Sequence, residues 1–203
     1  MLMTYRDAVY VHDANAAPRS VVMYKSGSLL IPDRSGAKPF NATPRVTSNE
    51  FFAMFDVPFE YGSGWDAAAD RGPQPVIVLS HETNDKVFGG GNSVGRTLKL
   101  GTIEYRVIGV LQPWAPSPKF FDLNNGAFED PEDGYIPFGW GRQLEMPVYG
   151  NTNCWKSETQ NSYEDFLNSE CVWLQVWADL PTVADREKFQ SFLDNYARSQ
   201  KAA

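Results

Sequence analysis

Residues 75–111 read PVIVLSHETNDKVFGGGNSVGRTLKLGTIEYRVIGVL, and the order of local signals in this stretch decides the fold class. Val76, Ile77, Val78 and Leu79 make a continuous aliphatic run, the pattern of a strand covered on both faces. Ser80 follows with the side chain of an N-cap, which predicts a helix from about Glu82 to Phe88. Gly89, Gly90 and Gly91 end that helix, because glycine takes up left-handed backbone without a Cβ clash. Residues 96–100 and 104–111 then flank Gly101 and Thr102, with Leu98 and Leu100 alternating against Thr97 and Lys99, which predicts a hairpin. Strand, helix and hairpin in one segment give a mixed α+β chain.

Upstream, Thr47 and Glu50 have capping-box spacing ahead of Phe51, Phe52 and Phe55, three aromatics on one helical face that read as core packing. Residues 5–12 read as a short helix or strand, and residues 20–31 as strands broken by Gly27 and closed by a turn at Pro32 and Asp33. Gly62, Gly64 and Trp65 mark a turn, and residues 67–72 read as a loop. Downstream, residues 112–134 form a long Pro-, Asn- and Asp-rich loop tied down by Trp114, Phe120 and Phe121, with order resuming over Tyr135, Ile136, Pro137 and Phe138. After a polar stretch at 150–170, residues 172–180 alternate, placing Val172, Leu174, Val176 and Ala178 on one face and Trp173, Gln175, Trp177 and Asp179 on the other. Thr182 and Asp185 cap a terminal helix whose Phe189, Phe192, Leu193 and Tyr196 share a face.

Composition bounds the function. A chain of 203 residues suits one domain or two small subdomains, long enough to close without metals. With 18 Lys and Arg against 25 Asp and Glu, the net charge of -7 argues against binding nucleic acid by phosphate neutralisation and against a polybasic membrane contact. No apolar run approaches the roughly 20 residues of a membrane span. The start lacks the basic flank and apolar run of a secretory signal, so the ends read either as cuts in a longer chain or as the native ends of a cytosolic protein. Cys154 and Cys171, the two cysteines, would close a modest loop if they paired; reduced, buried thiols are the other reading, and the residues alone leave both open.

Few motifs carry chemistry. Residues 90–97 have P-loop spacing with Arg96 in place of lysine, but a P-loop opens a helix, whereas these glycines end one, so nucleotide binding is not expected there. His12 and His81 are the two imidazoles and sit in no nucleophile frame, so both read as surface or cap residues rather than catalytic ones. The run Glu129 to Asp133, with Asp122, Asn124 and Asn125 nearby, departs from a calcium loop and reads as solvated. Nothing selects a carboxylate pair for glycoside hydrolysis. Trp173 and Trp177, with Trp140 and Trp155, are either an aromatic platform for a sugar or protein partner or, on the favoured reading, core packing. The residues thus select no catalytic, cofactor-binding or metal site.

Residues 47–111 also carry a family resemblance. The sequence VTSNEFF at 46–52, GSGW at 62–65, VIVLS at 76–80, FGG at 88–90, VGRTLKL at 94–100 and YRVIGV at 105–110, in that order and spacing, resembles the periplasmic core domain of MacB-type and FtsX-like ABC transporter permeases. Ser63, Trp65 and Asn84 depart from the usual Arg, Phe and Trp of that pattern.

The resemblance implies an α+β fold with a discontinuous porter-like α/β subdomain (residues 1–55 and 136–203) and an inserted, mostly β subdomain (56–135). It implies an extracytoplasmic, periplasmic domain within an inner-membrane protein, with neither catalytic residues nor cofactor. Its partners would be the membrane helices and ATPase of the parent transporter, and a periplasmic adaptor or a second copy, with Trp173 and Trp177 as partner-contact candidates. A periplasmic setting further implies that Cys154 and Cys171 are bonded. The reading from another class is a stand-alone secreted module that holds a saccharide or peptide; a hydrolase would need a cleft joining His12 or His81 to a nucleophile or paired acids.

Overall fold

In the computed structural model, residues 2–32, 37–72 and 74–202 are described. The elements in chain order are β1 (Leu2–Met3), α1 (Tyr5–Asp13), β2 (Arg19–Lys25), β3 (Ser28–Ile31), β4 (Phe40–Ala42), β5 (Arg45–Thr47), α2 (Glu50–Met54), β6 (Phe59–Gly62), α3 (Ala67–Arg71), β7 (Val76–Leu79) and α4 (His81–Phe88). There follow β8 (Thr97–Leu100), β9 (Ile103–Leu111), a 3-10 turn at Phe120–Asp122, β10 (Gly134–Pro137), α5 (Phe138–Gln143), β11 (Asn153–Cys154), α6 (Tyr163–Asn168), β12 (Cys171–Val172), β13 (Leu174–Asp179) and α7 (Val183–Ala202). The class is α+β. The chain forms two compact units, one of Met1–Val22 with Asn153–Ala203 and the other of Met23–Thr152, so the chain passes between them within β2 and again at 152/153. These borders lie apart from 55/56 and 135/136.

In the larger unit the strands run β2-β5-β10-β7-β9-β8-β3-β4, with β6 on the far end of β9. β7 sits between β10, antiparallel, and β9, parallel, and all four of its residues are buried. The parallel β7–β9 pair requires a crossover, and α4 supplies it. Ser80 Oγ accepts from Thr83 N at 3.1 Å to start α4, and Gly89, at φ +83°, ends it with its N–H on Asp85 O. The hairpin β8–β9 follows in antiparallel register, Leu98 opposite Tyr105. Gly62 lets β6 close on β9: at φ +67°, a Cβ there would lie 2.1 Å from the Ile108 carbonyl oxygen.

Three local expectations are corrected. The Thr47–Glu50 capping box does not form; Thr47 is the last, buried residue of β5, its hydroxyl turned to Ser48 O, and α2 starts after Asn49 with no side-chain cap. Thr47 is instead held between strands, opposite Met23 on one side and Pro137 on the other. Residues 67–71 are helix α3, capped by Asp66, which accepts from Ala68 N and Ala69 N. The polar stretch 150–170 contains α6, opened by a capping box between Ser162 and Asp165. Asp33, expected in a turn, lies outside the described residues.

Phe51 and Phe52 are buried as expected, at the centre of an aromatic cluster. Phe51 packs on Tyr135 at 5.1 Å and Phe121 at 5.5 Å, and Trp114 stacks on Phe121 at 5.4 Å, which ties the 112–133 loop to the sheet.

In the smaller unit β13 is flanked by β1, antiparallel with Leu2 opposite Gln175, and by β2. α1 packs against β13 and α6. Thr182 caps α7, its Oγ1 accepting from Asp185 N at 3.1 Å. From 183 to 201, no residue of α7 is fully buried.

Candidate functional site

The larger unit is organised around Arg45, 0% exposed in β5. Its Nη2 donates to Asp122 Oδ2 at 2.5 Å and to Glu132 Oε1 at 2.6 Å, and its Nε to the same Glu132 oxygen at 3.1 Å. Lys119 Nζ lies 3.6 Å from Glu132 Oε1 and donates to the Asp130 carbonyl, and the guanidinium stands 5.0 Å from the Phe121 ring centre. Burial works against the charged guanidinium, yet the carboxylates of Glu132 and Asp122 outweigh it and raise the Arg45 pKa above its ordinary value. The acidic run is therefore solvated only in part: Glu129 and Asp130 are exposed, whereas Glu132 is buried. Glu132 and Asp122 are buried because a cation separated from them by 87 and 77 residues compensates their charge. Asp133 is also tied inward, accepting from Thr43 N at 2.8 Å and from Thr83 Oγ1 at 2.9 Å.

This network holds a loop with an exposed outer side. Asn125 Nδ2 donates to Asp122 Oδ1 at 2.8 Å, Asn151 N to Asn125 Oδ1, and Lys25 Nζ to Glu129 Oε2. On that loop Phe128 is 83% exposed and Leu123 60%. Elsewhere in the unit Asp70 accepts from Asn49 N at 2.6 Å and from Trp65 Nε1 at 2.8 Å. Burial nevertheless pushes its pKa up to about 6, assisted by the charge of Glu50.

In the smaller unit α1 and α7 lie side by side. Tyr10 stacks on Tyr196 with ring centres 4.3 Å apart and on Phe192 at 6.0 Å, and Tyr196 Oη donates to Asp7 Oδ1 at 2.6 Å. Burial, then the hydrogen bond to Asp7, raises the Tyr196 pKa well above its usual range. Arg6 Nη2 meets Glu170 Oε1 at 2.7 Å, and these residues with Ser199 and Gln200 line a cleft of about 490 Å³. Its charged groups are paired within it, Arg6 with Glu170 and Asp7 with Tyr196.

The cysteines are bonded, Cys154 Sγ to Cys171 Sγ at 2.03 Å, across the β11–β12 pair. The tryptophans do not form one platform. Trp173 is 2% exposed, stacked on Phe166 at 5.2 Å and Tyr5 at 6.3 Å, so it is a core residue and not a partner contact. Trp177 is 37% exposed and Trp155 86% exposed, while Trp140, half-buried, belongs to the other unit.

His81 opens α4, with Nδ1 3.0 Å from Glu60 Oε2 and Nε2 3.5 Å from Asp85 Oδ2. His12, in the last turn of α1, has Nδ1 2.9 Å from Ser20 Oγ. A serine–histidine contact needs a third group to orient the ring, and among the described residues no carboxylate holds His12. Among the described residues no set of three His, Cys, Asp or Glu is placed to hold a metal ion. Among them, too, no helix is long and apolar enough to cross a membrane.

The sequence profile of the MacB-like periplasmic core domain matches residues 3–194, nearly the whole chain and both units. The chain belongs to that family. The MacB-like domain is 29% identical over 77 residues to the macrolide export ATP-binding/permease protein MacB of Acinetobacter baylyi (strain ATCC 33305 / BD413 / ADP1). The match takes in 37% of the chain and only 12% of that relative's length. Among solved structures, the periplasmic region of MacB from Actinobacillus actinomycetemcomitans superposes at a TM-score of 0.55 and 12% identity, over 88% of this chain and 80% of that one. The extracellular domain of the noncanonic ABC-type transporter YknZ from Gram-positive bacteria gives 0.59 and 12% identity, over 97% and 85%. At that identity the likeness is one of fold.

Proposed function

We propose that this MacB-like domain is the extracytoplasmic part of an ABC transporter permease in an inner membrane, and that it works without chemistry of its own. It relays motion driven by ATP hydrolysis elsewhere in the parent protein to export or signalling, through protein contacts. Membrane helices and the ATPase of the parent are its partners, with a periplasmic adaptor or a second copy of the domain meeting its outer surface. Trp177 is the tryptophan of β13 offered to such a contact. The porter-like subdomain would comprise residues 1–55 and 136–203, and the inserted β-rich subdomain 56–135.

The observation that carries this reading is the pairing of the first helix with the last. Residues 7 and 10 in α1 meet 192 and 196 in α7 through a tyrosine stack and a 2.6 Å hydrogen bond. A domain inserted between two membrane spans must send both chain ends back to one surface, and α1 and α7 run together as that requires.

The test is the genomic reading frame around this sequence. Apolar spans of about 20 residues on both sides of the segment are expected. A frame lacking either span would overturn the proposal and turn attention to a free-standing binding module.

A further inference from the structure

The two ends of the disulfide differ in a way that gives the bond a direction. Cys154 lies in β11, both of whose residues are exposed, whereas Cys171 is 1% exposed in β12. The side-chain amide of Gln160 reaches back across the loop closed by the bridge, its Nε2 donating to Cys171 Sγ at 3.2 Å. Cys171 is further enclosed by its own backbone, its N–H donating to Ser169 Oγ at 3.3 Å, while Glu170 N donates to Glu158 Oε2 at 2.8 Å.

Thiol–disulfide exchange requires a thiolate to approach one sulfur in line with the S–S bond while the other sulfur departs with the electron pair. Approach to Cys171 is closed by packing, which leaves Cys154 as the sulfur open to attack. Departure from a buried position is unfavourable for an anion unless a donor meets it. The amide of Gln160 already points at the sulfur that would carry the charge.

We propose that the Cys154–Cys171 bridge is a thiol-exchange site of fixed polarity, in which an external thiol enters at Cys154 and Cys171 leaves against the amide of Gln160. An incoming thiolate forms a new S–S bond to Cys154 Sγ, the Cys154–Cys171 bond breaks, and the electron pair goes to Cys171, which then takes a proton from water. A monothiol stops at this mixed disulfide. A dithiol reductant continues: its second thiolate attacks its own sulfur held on Cys154, leaving as an intramolecular disulfide, oxidised by two electrons as the bridge is reduced by two. The partner class is therefore a small thiol or a dithiol oxidoreductase, and the reverse sequence installs the bridge. Opening it releases residues 155–170, which include α6 and its Phe166, stacked on Trp173.

The experiment exposes the oxidised chain to glutathione, quenches with N-ethylmaleimide, and locates each adduct by peptide mass spectrometry. Glutathione is expected on Cys154 and maleimide on Cys171, by about tenfold over the opposite arrangement. Gln160→Ala is expected to slow the exchange several-fold, and Gln160→Glu, which puts a carboxylate beside the leaving sulfur, to slow it further. Both variants change an exposed side chain and are checked for native circular dichroism. Glutathione divided evenly or placed on Cys171, an exchange rate indifferent to residue 160, or free thiols in chain purified from an oxidising compartment would each overturn the proposal.

Discussion

Arg45 and Asp122 meet at 2.5 Å, with side chains 0% and 2% exposed, although 77 residues separate them. Glu132 completes the compensation from the opposite end of the same loop. A buried ion set of this kind contributes modestly as a whole, but losing one member strands the others.

Arg45→Met should therefore destabilise the larger unit by about 3–5 kcal/mol, because two carboxylates are left in a site without a guanidinium. Changing Arg45, Asp122 and Glu132 together to apolar residues of similar size should recover most of that loss. Urea midpoints of the single and triple variants check both expectations. Equal stability of Arg45→Met and the wild type would mean that the network is open to water.

Asp70 gives a pH dependence of opposite sign to an ordinary salt-bridged carboxylate. Burial raises its pKa from the usual 3.8 to about 6, so between those values the folded chain keeps a proton that the unfolded chain has released. Stability should fall as pH rises from about 4 to 6 and then level off, the contribution amounting to about 3 kcal/mol at most. Asp70→Asn should remove that slope. Urea unfolding of both proteins across the interval isolates it, and parallel curves would show that Asp70 titrates at the same pH folded and unfolded.

Much of this was legible in the sequence where the signal is local. Val76–Leu79, the Ser80 cap, the three glycines from Gly89 and the β8–β9 hairpin are each specified by adjacent residues, and each formed. Thr47 and Glu50 misled because the pairing of β5 with β2 and β10 claimed Thr47 as strand. α5 was hidden by Gly139 and Gly141, and α6 by the polar residues around it, although Ser162 and Asp165 had the capping spacing in plain view. The Arg45 network could not have been found this way. Nothing near Asp122 or Glu132 announces a partner in β5, and an acidic run is ordinarily solvated. Trp173 and Trp177 were read on one face of a single strand, but Trp173 lies between β12 and β13 and is buried under Phe166 of α6, whereas Trp177 in β13 is 37% exposed, because periodicity does not report what lies over a face.

Replacing both cysteines, Cys154→Ser with Cys171→Ser, should lower stability by about 3 kcal/mol, the loop-closure entropy of a segment this size. The loss should appear in the smaller unit, with amides of α6 exchanging faster. Hydrogen exchange followed by mass spectrometry resolves the two units, and unchanged protection of 163–168 would show that the bridge constrains little.

Tyr196→Phe removes the hydroxyl that donates to Asp7 while keeping the stack on Tyr10, and should cost about 1 kcal/mol. Tyr10→Ala removes the stack and should speed amide exchange through α7 while leaving the strands of the larger unit protected. Should α7 keep its protection after losing Tyr10, another contact must hold it.

From 183 to 201, α7 has no fully buried residue, and its apolar face rests on a few half-covered rings. Little solvent-excluded area is lost when such a helix lifts, so separating it is cheap in free energy while its own backbone ladder stays intact. A pull along its axis is consequently carried by the rod itself, and the contact with Tyr10 and Asp7 on α1 is its weaker joint. Strength lies in the shaft and compliance in the bearing: parting α7 from α1 would break the stack on Tyr10 and the bond to Asp7 while leaving the helix itself a stiff rod.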